Sequence, residues 1–384
     1  MLRGRLILLV PLLALFAFVA TTEQRAEGAP WTCMGQQIFP FDQNNRPTDI
    51  DNIINNDRAD TPTTFCVHAG RYQVSAPAIL KDGDKLMGEP QPEPWTTIDT
   101  ATIDPPIIKP TPIVKLEGSG TDNLLRARGN RISISWVDLT GASGTGTGSG
   151  AITAGSAGSD FLVEFVRIHD NASLGISNMK GRIFHSEFFK NSYAGSALGF
   201  NGSAIKGITE YEAGNLYVHE EQGNGLWCDV GCSNDSARVH GFWVHDSVVV
   251  NSGRAGIRYE NSPNEALFEN NEIHGNGKIE ESRGGIDIRD SQNAWVGPGN
   301  NFGRATITIA GVAVNYPPNG SNRIGVRATD SGRTDRVNLS NVDVVGNNFG
   351  LADSNLNRDR IVPWPCPSTG QVVACSNNTN VGTR

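Results

Sequence analysis

The sequence predicts an all-β solenoid, a parallel β-helix, and two recurring phrases carry that prediction. The first is Gly225–Asp229 (GLWCD), Gly256–Glu260 (GIRYE), Gly285–Arg289 (GIDIR) and Gly311–Asn315 (GVAVN), starting 31, 29 and 26 residues apart. The second is Ile168–Asn171 (IHDN), Val218–Glu221 (VHEE), Val244–Ser247 (VHDS) and Ile273–Asn276 (IHGN). Two phrases that keep step over more than a hundred residues mark one stacked structural unit. Each unit alternates apolar and polar residues with period two, so it is built of short strands and not helices. The 44 glycines and many asparagines suit the tight corners between them.

The N-terminus is read as a signal peptide over residues 1–28. Met1–Arg5 carries two arginines, and Leu6–Ala20 is an apolar run of 15 residues. That run is short for a membrane helix, which needs roughly 20 residues. Cleavage is expected after Ala20 or Ala29, leaving a secreted, extracellular chain with no membrane contact. Six cysteines fit that compartment. Their nearest neighbours in sequence are Cys33 with Cys66, Cys228 with Cys232 and Cys366 with Cys375. The formal net charge is −8. No basic stripe exists, which excludes nucleic acid as a partner. An acidic exterior repels polyanions too, unless cations are gathered at one place.

Along the chain, residues 29–120 read as an N-terminal cap and first coils. Thr64–Val74 and Leu80–Pro90 supply short strands, and Asp51–Asn56 a short capping helix. A cap is needed because the first coil otherwise exposes core side chains and a strand edge. Glu89–Pro112 is read as a proline-rich loop. Residues 121–350 hold the coils, with 141–159 a flexible Gly/Ser loop. Residues 351–384 lose the pattern and are expected to cover the C-terminal end.

Alternation turns aligned strands into columns. Leu226, Ile257 and Ile286 are taken as inward, so Cys228, Tyr259 and Ile288 point inward as well. Trp227, Arg258 and Asp287 then form one outward column, and Asp229, Glu260 and Arg289 the next. Ser203–Ile208 (SAIKGI) adds Lys206 beside Trp227. With coils roughly 4.8 Å apart, Asp229 and Glu260 approach the ~5–5.5 Å carboxylate spacing of retaining glycosidases. Two such acids supply an acid and a base from one residue type. Asp229, Glu260 and Arg258 are therefore the candidate catalytic residues. Lys206, Trp227, Tyr259, His245, Asp287 and Arg289 are the candidate substrate-binding residues. Trp227 offers a flat face to a sugar, and Lys206 and Arg258 can hold a uronate carboxylate. A lyase would use the same parts differently: Ca2+ or an arginine neutralises the uronate, and Arg258, Lys206 or Tyr259 takes the C5 proton. Apart from such a Ca2+, no cofactor or metal ligand set is predicted. The competing reading is an exposed ion-pair ladder with no ligand.

His169, His219, His245 and His274 are expected at one repeat position, which Lys190 fills once. A corner ladder satisfying turn amides is preferred there over a metal stack. His245 is placed within reach of the site. Six glycosylation sequons start at Asn171, Asn201, Asn234, Asn319, Asn338 and Asn377.

These repeats resemble those of secreted right-handed parallel β-helix proteins of the pectin-lyase-like superfamily. The resemblance rests on Thr64–Tyr72 (TFCVHAGRY), Lys81–Pro90 (KDGDKLMGEP), Gly223–Asp229, Gly256–Glu260 and Asn270–Gly277 (NNEIHGNG), and covers residues 60–90 and 160–350. It implies a right-handed coil of three parallel sheets and a binding groove along one sheet. It also implies a kinship with polysaccharide lyases, glycoside hydrolases and epimerases. The GHG, RIK and NTD signatures of polygalacturonases are missing, and Trp136–Leu139 (WVDL) keeps only part of the WxDH pattern of pectate lyases. The expected function is thus a carbohydrate-active protein whose partner is a polysaccharide or cell-envelope glycan, working as a monomer by hydrolysis or uronate β-elimination. A non-catalytic glycan binder or adhesin is the alternative.

Overall fold

Three short strands and three corners make up each coil of the computed structural model. The structure describes residues 31–382 apart from 42–46, 58–60, 147, 156–159, 195–201, 230–231, 233–240, 351–357 and 363–372. The signal peptide, His240, Asn201, Asn234 and Cys366 lie outside the described residues.

The chain is a right-handed parallel β-helix, the hand that parallel crossovers almost always take. Its first column includes Phe161–Glu164, Phe242–His245, Ala266–Glu269 and Gln292–Val296. The second includes Arg167–His169, Glu187–Phe189, Tyr217–His219, Val248–Val250 and Glu272–His274. The third includes Asn224–Cys228, Ile257–Glu260, Ile286–Arg289 and Ile324–Thr329. Leu174–Phe184 and Ser203–Gly214 run unbroken from the third column into the first of the next coil. Inward positions are filled by stacked apolar residues: Leu226, Ile257, Ile286 and Val326 are register partners and all fully buried.

The glycine that opens each third-column strand is required by close approach. A Cβ on Gly225 would sit 2.4 Å from the Gly256 carbonyl oxygen, and one on Gly285 2.6 Å from that of Gly325. Gly311 is different, and here the repeat reading fails. It lies at φ +78° beside Ala310 at φ +52° with open space around it. That is the two-residue turn of an antiparallel hairpin, Ala305–Ile309 with Val312–Tyr316. The true fourth rung starts at Gly325.

The hairpin pairs with Thr96–Asp99, which pairs in turn with Ile107–Lys109. Glu89–Pro112 is thus half of a four-stranded antiparallel side sheet, not only a loop. Ile98, Ile103, Ile107, Ile307 and Tyr316 cover Tyr217, Val248 and Val250 on the second column. Gly150–Ala154 is likewise a third-column strand inside the segment read as a flexible loop; Ala151, Ile152 and Ala154 are buried where small side chains fit. Arg360–Val362 and Val373–Ser376 extend two columns past the end of the predicted array.

Corners after both the first and second columns need a left-handed residue. Asp246 (φ +48°) and Asn270 (φ +54°) serve the first, and Asp170 (φ +51°) and Glu220 (φ +55°) the second. A Val/Ile-His-acid phrase therefore ends either kind of strand, and this corrects the histidine column. His169, His219 and His274 belong to the second column, with Phe189 and Val250 between them in register. His245 is in the first column, and Lys190 is a corner residue.

At the N-terminal end, helix Ile50–Asn56 buries Ile50 and Ile54, and Asp51 accepts from the Ala76 backbone N–H at 2.8 Å. Cys33–Cys66 and Cys228–Cys232 are disulfides, and Cys375 is disulfide-bonded. Two amide ladders satisfy the corners. One runs Asn271, Asn300, Asn347, Asn378, each bonded to the next. The other runs Asn171 to Asn191 at 2.8 Å, then Asn191 to the Glu221 carboxyl at 2.8 Å, and further along Asn276 to Asn319 and Asn319 to Asp359. Asn171 and Asn319 are fully buried in it, which removes two sequons from the surface.

Glu221 is an acid in an amide position. Burial pushes its carboxyl from 4.5 up to about 8, against the Asn191 bonds. The fold therefore holds a proton that the unfolded chain releases above about pH 4.5, and stability falls as pH rises from there towards 8. Glu221→Gln is expected to melt near wild type at pH 5 and several degrees higher at pH 8, read by calorimetry at both pH values. An equal difference at both would show that the acid carries no buried proton.

Candidate functional site

The third column brings Lys206, Trp227, Arg258, Asp287, Glu260 and Arg289 into the predicted register. Lys206, Trp227, Arg258, Asp287 and Arg327 are successive partners on its outer face, and Glu260 pairs with Arg289 in the adjoining register. Like charges opposite each other repel, so the order cation, ring, cation, anion, cation is what a stacked column tolerates. The Lys206 ammonium lies 4.2 Å from the Trp227 ring centroid and the Arg258 guanidinium 5.3 Å.

The carboxylates are held by cations. Asp229 meets Lys206 at 2.9 Å. Glu260 meets Arg258 at 2.6 Å and Arg336 at 3.3 Å. Asp287 lies 3.8 Å from Arg283 and 3.9 Å from Arg327. Burial raises the Asp287 carboxyl above its ordinary value, while Arg258 and Arg327 oppose that rise. Arg254 and Arg283 share Glu280, and Arg289 lies beside Asp290. Among the described residues seven cations thus meet five carboxylates on one face of a chain whose net charge is −8.

Two sequence-based assignments need correction. Trp227 is 5% exposed and flanked by cations, so it is not an open platform for a sugar. Its indole N–H and the Arg258 Nε–H are both buried, with no hydrogen-bond acceptor among the described residues. Tyr259 points into the core, fully buried, and its hydroxyl donates to the Asn264 carbonyl; it can neither bind substrate nor act as a base. Arg258, Glu260 and Asp287 are outward as expected but nearly covered, whereas Arg289, Arg327 and Arg336 form a partly exposed rim.

His245 lies on the first column, apart from this face in the register. Its Nδ1 is 2.8 Å from Asp246 and its Nε2 3.4 Å from Glu212; its ring lies 4.5 Å from Trp243, whose indole N–H donates to Glu269 at 3.1 Å. Burial alone would disfavour the imidazolium, but the two carboxylates outweigh it and raise the pKa to about 9. Sequence reasoning missed Glu212, Asp246, Trp243 and Glu269 because it followed one column only. It missed Arg283, Arg327 and Arg336 because they come from corners and a rung outside the repeated phrase. Among the described residues, no group of three or more His, Cys, Asp or Glu side chains is gathered to hold a metal ion.

A raised histidine pKa stabilises the fold fully below the unfolded value of about 6.5, and the gain is lost as pH climbs through about 9. His245→Gln should therefore cost on the order of 2 kcal/mol at pH 6 and little at pH 10. Chemical denaturation at the two pH values measures this; a pH-independent cost would show that the imidazolium pairs contribute nothing.

No family profile and no curated protein sequence matches this chain. Solved structures do. The A-module of mannuronan C-5 epimerase AlgE4 from Azotobacter vinelandii is 14% identical, over 86% of this chain and 91% of that one, with a TM-score of 0.48. An alginate lyase from Paenibacillus sp. is 12% identical over 91% and 97%, with a TM-score of 0.42. Pectin methylesterase PemA from Erwinia chrysanthemi is 10% identical over 81% and 94%, with a TM-score of 0.37. At such identities the likeness concerns the fold alone: this chain, like those neighbours, is a right-handed parallel β-helix protein.

Proposed function

We propose that the chain is an exported protein that binds and cleaves an anionic, uronate-containing polysaccharide on the outer face of its third column. The observation that carries this reading is the gathering of cations on one face of an acidic protein, with Arg289, Arg327 and Arg336 partly exposed at its rim. Arg289, Arg327 and Arg336 at the rim take uronate carboxylates. Lys206 and Arg258 hold Asp229 and Glu260 in place through ion pairs. One of these acids then serves as base or nucleophile and the other as proton donor, for hydrolysis; in β-elimination a base removes the C5 proton as the C4–oxygen bond breaks. Asp287, the register partner of Arg258 on the next coil, adds a favourable charge beside its guanidinium. Disulfides persist in oxidising compartments, which agrees with export.

The second reading, glycan binding without turnover, is favoured by the ion pairs themselves, since Asp229 and Glu260 already carry cationic partners. One assay separates the two. Polygalacturonate, alginate and neutral polysaccharides are incubated with and without Ca2+, and both reducing ends and unsaturated-uronate absorbance are followed. Turnover of a polyuronate is expected, falling at least ~100-fold in Asp229→Asn and Glu260→Gln. Arg336→Ala should weaken binding about tenfold, less so at high salt. Binding without products would leave only the second reading; no polyuronate binding at low salt would remove both.

A further inference from the structure

A cavity of about 360 Å³ opens away from the third-column face. It lies where the third column turns into the first. Asn264 and Glu265 come from one coil, Asn293 and Trp295 from the next, and Asn341 and Asp343 from the one after. Its volume falls in the range of about 300–1,000 Å³ typical of small-ligand sites.

Trp295 is 48% exposed. Its register partners are Leu267 on one side and Asp343 on the other, so its indole face is not sandwiched as that of Trp227 is. A large exposed ring that no other ring or cation among the described residues covers is an apolar surface that a ligand can use. The amides around it are pinned: Asn293 donates to the Pro263 carbonyl at 3.0 Å, Asn341 donates to Asn293 Oδ1 at 2.7 Å, and Asn264 donates to the Cys232 carbonyl at 2.7 Å. Pinned amides beside an open ring form a preorganised polar rim. The charge is also informative. Among the described residues no Lys, Arg or His lines the cavity, and its two ionisable residues are acids. A uronate chain would be repelled here.

We propose that this cavity binds a neutral oligosaccharide. The apolar face of a pyranose ring rests on Trp295, and the sugar hydroxyls donate to Asp343 and the Asn341 amide oxygen. The site stands on its own residues and does not depend on the anionic face of the third column. Both could hold one heteropolymer, with uronate on the third column and neutral sugar at the corner.

The test uses the full exported chain and calorimetric titration with cellohexaose, mannohexaose and xylohexaose, with hexagalacturonate as the anionic control. At least one neutral hexaose is expected to bind. Trp295→Ala should weaken it by about tenfold or more, Trp295→Phe should restore most of the affinity, and Arg336→Ala should leave it unchanged. The melting temperature of each variant shows that it is folded. Absence of binding by all three hexaoses at millimolar concentration would overturn the proposal, as would equal affinity of folded Trp295→Ala. Hexagalacturonate binding reports on the third column alone, so failure of either site is told apart from failure of the other.

Discussion

The parallel register of one coil on the next governs everything else in this molecule. Each strand residue faces its equivalents about 4.8 Å above and below, so a side chain's environment is set by two residues some thirty positions away in sequence. Apolar residues benefit from this arrangement without further conditions, and Leu226, Ile257, Ile286 and Val326 stack directly. Polar residues benefit only if their neighbours complement them. Asparagine is self-complementary, since its amide both donates and accepts, and the Asn271–Asn378 ladder follows. Charge is not self-complementary, so the third column alternates.

The same rule explains why an acid such as Glu221 sits so uneasily in the second ladder. Asn191 donates to one of its oxygens, while the other has no partner. Burying that carboxyl as an anion is costlier than keeping its proton, which is what burial enforces. Asp359, at the far end of that ladder, receives more donors, from Asn319 and the Gly303 backbone N–H, and its pKa rises less, to about 6. The contrast between the two shows hydrogen bonding and desolvation competing at equivalent positions.

Much of this was readable from the sequence, because period-two alternation and a fixed phrase length are local signals. The register Trp227–Arg258–Asp287 came directly from aligning the glycines, and Lys206 from matching Ile205 to Leu226. What could not be read was whatever the phrase does not encode. His245 and His219 end in similar words because first-column and second-column corners both demand a left-handed residue, so the words do not distinguish the columns. Gly311 imitates the rung glycines, but its glycine serves a hairpin turn and theirs a close backbone approach. Burial of Trp227 escaped prediction because alternation reports inside versus outside the coil, and a residue outside the coil can still be covered by long neighbouring side chains.

The third-column face can be weighed as structure against function by asking what a purely structural ladder would leave unmet. Ion pairing alone accounts for Lys206 with Asp229, and for Glu260 between Arg258 and Arg336. It accounts less well for an excess of two cations, because self-repulsion on one face costs stability that a balanced ladder would avoid. It leaves Arg289, Arg327 and Arg336 partly exposed at the rim, where an anionic group can reach them. The corner cavity differs in each respect, with its ring open, its amides satisfied and its charge negative. Two faces of one solenoid have therefore diverged in opposite electrostatic directions, which a fold selected only for stacking gives no reason to expect.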